Sequence, residues 1–347
     1  MSSNPIRISI VIPVYNNPRD LRECLGALIA SSCSGSEIIV VDDGSTDDTP
    51  SVATEMGVRM LRLATNSGPS AARNYGVRHA RGDIIFFVDA DVVVMPGAVS
   101  RVVKTFNQQP EVDAVFGSYD AWPRANGVVS QYRNLLHHFV HQTGNPEACT
   151  FWAGCGAIRR AAFEEIGGFD EERFARRIED IELGYRLRKA RYRILLDKGL
   201  QGTHLKRWTL RSMIRTDIFY RAVPWTRLIL ENKKVPPDLN LKEGQRLSVV
   251  LAGLTSLFLV LAPFSLKLLA LSAATFTGVI VLNRDLYGFL FRQRGLFFTM
   301  ACIPLHLLYY LYGGMTFFSV WLDFQFRGSQ PAADRRVSLP RDRHSTF

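Results

Sequence analysis

Residues 83–94 read DIIFFVDADVVV. The run is almost wholly apolar and rich in β-branched and aromatic side chains, as a strand covered on both faces requires. Asp89 and Asp91 break it. A carboxylate inside an apolar strand is costly unless paired, so the strand is expected to end at Val88, with both acids at its carboxyl end. Acids of the form Asp-x-Asp in that position can hold a divalent cation, and the cation in turn neutralises a diphosphate. Taken alone, the pair reads equally as a solvated turn.

The neighbouring chain has the same grammar. Apolar runs at 6–13, 37–42, 58–63, 83–88 and 112–117 alternate with helical patterns near 18–31, 47–56, 69–80 and 96–108. Strand–helix alternation predicts an α/β fold with a mostly parallel sheet flanked by helices. Ligands in such sheets bind at the carboxyl ends of the strands, and polar motifs cluster at those ends. The first strand closes with Pro13-Val14-Tyr15-Asn16 and the second with DDGSTD, residues 42–47. NSGPSAARNYG, residues 66–76, follows the third. A tyrosine there can stack on a base, and an aspartate can accept from a base N–H or a ribose hydroxyl. A loop opening a helix that bears Arg73 can approach an anion. Each has a dull reading as turn, N-cap, core or salt bridge. In this order, each near a strand end, they describe a nucleotide-diphosphate pocket.

The segments SIVIPVYNN (9–17), IIVVDDGSTDDT (38–49), NSGPSAARNYG (66–76), FVDAD (87–91), GGFDE (167–171) and EDIELGYRL (179–187) stand in register over residues 6 to about 205. Here the chain resembles glycosyltransferase family 2, of membrane-anchored bacterial type, with the GT-A, nucleotide-diphospho-sugar transferase-like fold. The resemblance implies donor contacts from Pro13, Tyr15, Asp43, Arg73 and Asp89. Tyr15 and Asp43 would meet the base, Arg73 the base or diphosphate, and Asp89 the ribose or the metal. Asp91 would bind Mn2+ or Mg2+, and Asp180 would be the catalytic base. The chemistry agrees: an inverting transfer needs one base opposite the leaving diphosphate, and a helix N-terminus favours an ionised carboxylate. Without the upstream motifs, Glu179 and Asp180 would read only as acids of a helix N-terminus.

FWAGCGAIRR, residues 151–160, is expected to form a strand beside the acceptor. Acceptor-side candidates are Trp152, Gly154, Glu179, Arg207 and Trp208. The stretch QGTHLKRW (201–208) departs from the Gln-x-x-Arg-Trp motif of processive relatives, which argues against a processive synthase. His204 there is either a metal or diphosphate contact, since imidazole is a competent ligand, or a structural histidine. His137, His138 and His141 lie on a predicted helix with no third ligand and read as surface or interface residues.

The 347 residues carry a net charge of +10 with 47% hydrophobic content. The basic residues are spread out and lack aromatic interleaving of a nucleic-acid module, so no nucleic-acid partner is expected. Five cysteines without a metal-site spacing read as thiols of a reducing compartment. No signal peptide is expected at the N-terminus. From Leu247 the composition shifts. Runs 247–263 and 268–282 are uncharged, with Lys267 between them, and 295–322 forms a third. A span needs roughly 20 apolar residues. The expected organisation is a catalytic domain over 1–205, a basic interfacial helical linker over 206–246, and transmembrane helices near 247–265, 267–283 and 296–322. An Arg-rich disordered tail over 323–347 completes it. The first two runs fit a helical hairpin turning at 263–267. Lys233, Lys234, Lys242 and Arg246 before it and Arg284, Arg292 and Arg294 after it fit a cytoplasmic side, while three spans would carry the tail's arginines across.

These readings converge on an enzyme integral to the cytoplasmic membrane, with its catalytic domain in the cytoplasm. It would move a sugar from a nucleotide-sugar donor to a lipid-linked or glycolipid acceptor in cell-envelope synthesis. Two other functions fit parts of the sequence. A sugar nucleotidyltransferase would want a Gly-rich, basic loop where YNNPRDLREC stands. A membrane scaffold with an inactive transferase domain would not need Asp43, Asp89, Asp91 and Asp180 all present.

Overall fold

The structure is a computed structural model and describes residues 6–33, 35–174, 176–232 and 242–327. The elements begin β1 (Ile8–Val14), α1 (Pro18–Ser31), β2 (Ser36–Asp42), α2 (Thr49–Glu55), β3 (Arg59–Arg62), α3 (Pro69–His79) and β4 (Ile84–Val88). They continue with β5 (Val92–Val94), α4 (Ala98–Gln108), β6 (Ala114–Tyr119), α5 (Val128–Gln142), β7 (Cys155–Arg159), α6 (Arg160–Glu165), α7 (Glu179–Lys189) and β8 (Ile194–His204). Then come α8 (Leu210–Arg215), α9 (Val223–Asn232), α10 (Glu243–Leu261), α11 (Leu266–Leu282) and α12 (Arg284–Arg327).

The chain divides into two compact units. Among the described residues, one holds 6–124 and Gly144–Lys206, and the other Ala125–Thr143 and 207–327. In the first, eight strands form one sheet in the order β3-β2-β1-β4-β7-β6-β8-β5. Strands β3, β2, β1 and β4 run parallel, as do β6 and β8. Strand β7 enters antiparallel between β4 and β6, and β5 is antiparallel to β8, so the sheet is mixed. The period of two in β1 shows on its faces. Ile8, Ile10, Ile12 and Val14 join Leu21, Leu25 and Leu28 of α1 and Val99, Val102 and Phe106 of α4 in one buried cluster. On the opposite face a Cβ at Gly76 would fall 2.5 Å from Val11 Cγ1, so a residue without one lets α3 lie directly on β1.

In the second unit α10 and α11 form a hairpin through a short 3₁₀ turn at Ala262–Phe264. Ser272 Oγ donates to the Thr255 carbonyl at 2.9 Å and Thr255 Oγ1 to Thr275 Oγ1 at 2.9 Å. Helix α10 starts at Glu243, ahead of the Leu247 boundary read from composition, because its first turn is polar but still helical. Gly295 (φ 78°, ψ −178°) breaks α12 where the third apolar run begins. Helix α12 then continues through Arg327, so residues 323–327 are helical rather than tail. The rest of the expected tail, including Arg335, Arg336, Arg341 and Arg343, and the linker lysines Lys233 and Lys234 lie outside the described residues. Among the described residues, two helical stretches, Glu243–Phe264 and Arg284–Phe326, are long and apolar enough to cross a membrane; Leu266–Leu282 is apolar but shorter. The five cysteines are free thiols, with Cys24, Cys155 and Cys302 buried.

Candidate active site

The site is built from strand ends of the first unit. Strand β2 runs out at Asp42, and the turn that follows has Gly44 at φ 75°. A Cβ there would sit 2.9 Å from the Thr65 carbonyl carbon, so this turn and the 65–68 loop approach closely only with glycine between them. That approach brings Asp43 under the start of α3. Its carboxylate accepts from the Ser67 and Gly68 backbone N–H groups at 2.7 and 2.8 Å. Burial pushes the Asp43 carboxyl above its usual range, and the two N–H donors oppose this. Pro13 is buried at the end of β1, and Tyr15 is half-buried just beyond it.

Strand β4 ends at Val88, as the acids require. Asp89 donates its backbone N–H to the Gly154 carbonyl at 3.1 Å and turns its side chain to Arg73. Arg73 is 4% exposed. It holds Asp89 Oδ1 at 2.7 Å with one terminal nitrogen and Glu179 Oε1 at 2.8 Å with the other. Its plane also lies 5.4 Å from the Phe169 ring centroid. The two carboxylates raise the Arg73 pKa further against the cost of burial, so it is a fixed cation. Burial pushes the Glu179 carboxyl up to about 7, with Arg73 opposing and Asp180 adding to the rise. Glu179, the first residue of α7 and expected on the acceptor side, is buried with its Oε1 on Arg73.

Asp91 lies beyond β4 and is 4% exposed. His204 ends β8, and the Val92–His204 pairing brings the two side chains together, with Asp91 Oδ2 3.5 Å from His204 Nε2. Burial works against the Asp91 charge, but His204 and then Lys206 outweigh it, leaving this carboxyl below its usual range. The His204 ring stacks on Tyr119 at 4.1 Å and 10°, and Tyr119 meets Trp152 edge-on at 4.8 Å. Tyr119 was not singled out in the sequence. Its signal was available, since it is the last residue of β6 and so shares the strand-end position of the other site residues.

An oxygen and an imidazole nitrogen aimed into one buried corner suit Mn2+ or Mg2+. No group of three or more candidate ligands forms among the described residues, so the remaining positions would fall to phosphate oxygens and water. Magnesium sites at phosphates commonly use only one or two carboxylates.

Asp180 is the second residue of α7. Its Oδ2 accepts from the Ala153 N–H at 3.4 Å, and its Oδ1 lies 2.8 Å from the Ile181 N–H. Two glycines shape the strand it faces. A Cβ at Gly154 would fall 2.7 Å from the Trp152 indole, and one at Gly156 2.3 Å from the Trp152 carbonyl oxygen. The approach to α7 is pinned from α3 and from α7 itself. Asn74 Nδ2 donates to the Phe169 carbonyl and Glu171 Oε1, both at 2.8 Å, while Asn74 Oδ1 accepts from the Phe169 N–H at 3.0 Å. Arg186 grips Glu182 with two 2.7 Å bonds and donates to the Ile166 and Gly168 carbonyls. These clamps give the GGFDE and EDIELGYR segments their fixed relation.

Arg207 and Trp208 belong to the second unit. Arg207 is exposed there, whereas Trp208 is buried. The Trp208 backbone exchanges hydrogen bonds with Ser130 Oγ, and its ring lies 5.9 Å from the Arg133 guanidinium. His137 and His141 pack ring to ring at 4.0 Å on α5, and His138 stacks on Phe289, so they serve helix packing within that unit.

A family model described as Glycosyl transferase family 2 matches residues 9–167. Glycosyltransferase GlyG of Streptococcus pneumoniae is 29% identical over 161 residues, 45% of this chain and 53% of that protein. The pre-mycofactocin glycosyltransferase of Mycobacterium tuberculosis is 30% identical over 224 residues, 61% of this chain and 46% of that protein. The chain thus spans about half the length of these curated relatives. Among solved structures, the mannosyltransferase PcManGT from Pyrobaculum calidifontis, in complex with GDP-Man and Mn2+, aligns with a TM-score of 0.55 at 18% identity. That alignment covers 93% of this chain and 88% of the other. TarS from S. aureus aligns at 0.50 and 18% identity, covering 92% of each chain. The two structures speak to fold, and the sequence matches speak to kinship: residues 9–167 are similar to glycosyltransferase family 2, and the chain has a fold like that of these GT-A transferases.

Proposed function

We propose that the chain is an inverting glycosyltransferase, moving a sugar from a nucleotide-diphosphate donor to a hydroxyl or phosphate of a lipid-linked acceptor at the cytoplasmic face of the membrane. The observation that carries the reading is the placement of Asp43, Asp89 and Asp91 at strand ends of one sheet, with Arg73 of α3 bridging Asp89 to Glu179, the residue before Asp180 at the N-terminus of α7. Pro13, Tyr15 and Asp43 take the base end, and Asp89 the ribose. Asp91 and His204 would hold Mn2+ or Mg2+, which would supply positive charge to offset that building on the leaving diphosphate. That the related fold was solved with GDP-Man and Mn2+ supports this ligand class.

Asp180 accepts the proton of the acceptor as its oxygen attacks the anomeric carbon. The Ala153 N–H holds the carboxylate in place, and the Trp152–Tyr119 pair walls the side toward which the acceptor comes. A base fixed on one face, with the leaving group on the other, gives inversion. We read α10, α11 and the part of α12 after Gly295 as the membrane region, and the basic stretch over 206–246 as lying at the bilayer surface. The apolar hairpin and the two long apolar helical stretches support that reading. An acceptor anchored in the same bilayer, as in cell-envelope glycan or glycolipid synthesis, would then need no release into water.

The test is donor binding by detergent-purified full-length protein across UDP-, GDP- and CMP-sugars, with Mn2+ and with chelator. Binding of one donor, dependent on metal and lost in Asp91→Ala, is expected. Folded protein that binds none of them sinks the reading.

A further inference from the structure

One guanidinium joins the two ends of the site. Arg73 is buried on α3 and holds Asp89, at the donor end, with one nitrogen. With the other it holds Glu179, the residue immediately before the base. The side chain of Asp89 is 32% exposed and remains open to a ligand; that of Glu179 is 9% exposed and is not. Among the described residues, Arg73 Nε and Glu179 Oε2 are buried without a hydrogen-bond partner. The fork is thus under-satisfied on both sides, and one positive charge serves two negative ones. A buried charge left partly uncompensated acts strongly on its neighbours, and the nearest titratable neighbour of Glu179 on its own helix is Asp180.

The arrangement is held for reasons separate from the charges. Asn74, next to Arg73, fixes Phe169 and Glu171, and Arg186 fixes Gly168 to α7. The first turn of α7 therefore cannot drift away from the guanidinium.

We propose that Glu179 is a positioning residue for the base at Asp180, tied through Arg73 to Asp89, so that the state of the donor end sets the charge beside the base. The proposal rests on the transferase reading above. The groups facing Glu179 are Arg73 from α3, with Asp89 behind it, and Asp180 on its own helix. While Arg73 is shared, Glu179 holds its proton to unusually high pH. When Asp89 turns to a ligand, Arg73 falls to Glu179 and favours its ionised form. An ionised Glu179 makes Asp180 a stronger base through like-charge repulsion. Occupancy of the donor site thereby strengthens proton removal from the acceptor.

The experiment is kcat and donor KM against pH for the detergent-purified full chain, wild type, Glu179→Gln and Asp89→Asn. Turnover is read as nucleoside diphosphate released from the bound sugar nucleotide with total lipid extract as acceptor. Wild-type kcat/KM for the donor, which reports the free enzyme, is expected to rise in two steps with pH, the upper one reporting Glu179. Glu179→Gln keeps an acceptor for Arg73 but loses the upper step, with plateau kcat lower by about tenfold and KM within about threefold. Asp89→Asn leaves Arg73 wholly to Glu179 and moves the upper step to lower pH. A Glu179→Gln profile superimposable on wild type, with kcat within about twofold, overturns the proposal. If that variant does not fold by thermal unfolding, an unmoved upper step in Asp89→Asn overturns it instead. An inactive wild type, or an active Asp180→Ala, defeats the transferase reading itself. Active wild type, inactive Asp180→Ala and an unaltered Glu179→Gln defeat only this inference.

Discussion

Gly184 lies in the middle of α7, where alanine would ordinarily stabilise a helix by about 1 kcal/mol. Its surroundings reverse the sign. A Cβ at 184 would stand 2.5 Å from the Phe151 nitrogen and 2.6 Å from two Thr150 backbone atoms. Ordinary contact begins near 3.4 Å, so α7 and the 150–151 backbone must separate by about 1 Å, since neither side is a flexible chain end. Overpacking of this kind costs about 1–3 kcal/mol, so Gly184→Ala should be destabilised by about 1 kcal/mol net. The larger effect falls on function. Residues 150–153 carry Ala153, whose N–H meets Asp180 at 3.4 Å, already at the long end for a hydrogen bond. A further 1 Å breaks it and misplaces the base, which costs about 10²-fold in rate. The donor end hangs from β2, β4 and α3, so donor affinity should stay within about threefold. Steady-state turnover beside calorimetric donor binding separates the two. The reasoning is refuted by Gly184→Ala with kcat within about threefold of wild type, or by an equal loss in donor binding and turnover.

Three other outcomes follow from the described contacts. Asp43→Asn turns an N–H toward at least one of the Ser67 and Gly68 donors. It should cost about 1–3 kcal/mol in thermal unfolding and weaken donor binding. In the second unit, Asp217 sits in a π-helical turn at Thr216–Ala222 and pairs with Arg133 and with the Tyr312 hydroxyl. Asp217→Ala strands a buried arginine and should lower stability in detergent by about 3–5 kcal/mol, whereas Arg133→Met/Asp217→Leu together should cost much less. The Glu179 carboxyl is raised in the folded state, so the native chain holds a proton that the unfolded chain loses first. The stability of wild type relative to Glu179→Gln should therefore fall as pH rises from the ordinary glutamate range to about 7, and level off above it. Denaturant unfolding at closely spaced pH values checks the sign.

The parallel half of the sheet was legible because each parallel strand is a short apolar run closed by a polar motif. Strands β1, β2, β3 and β4 fall within one or two residues of their expected limits, and Asp89 and Asp91 stand beyond the end of β4. What could not be read was the pairing of distant segments. Nothing local in CGAIR states that β7 runs antiparallel between β4 and β6. Nor does sequence spacing reveal that Arg73 turns to Glu179 or that Tyr119 lies flat on His204. Helix-forming patterns were legible around 247–282. The break at Gly295 was visible only as a glycine bordering an apolar run, since its positive φ is a property of backbone and not of composition.

The antiparallel β5–β8 pair has a consequence for how the protein is made. Val92 of β5 pairs with His204 of β8, and the chain between them supplies α4, β6, β7 and α7. Strand β5 leaves the ribosome early and waits with its edge open, while Asp91 lacks its histidine until β8 arrives. Pairings this distant are slow, because a long loop must close before any contact rewards it. The first apolar helix, α10, follows β8 by only a few dozen residues. On the membrane reading of α10, the last strand of the sheet must settle at about the time that the growing chain meets the bilayer. Synonymous codon changes or a short insertion between β8 and α10 would alter that timing without touching the finished molecule, and the yield of active protein would record it.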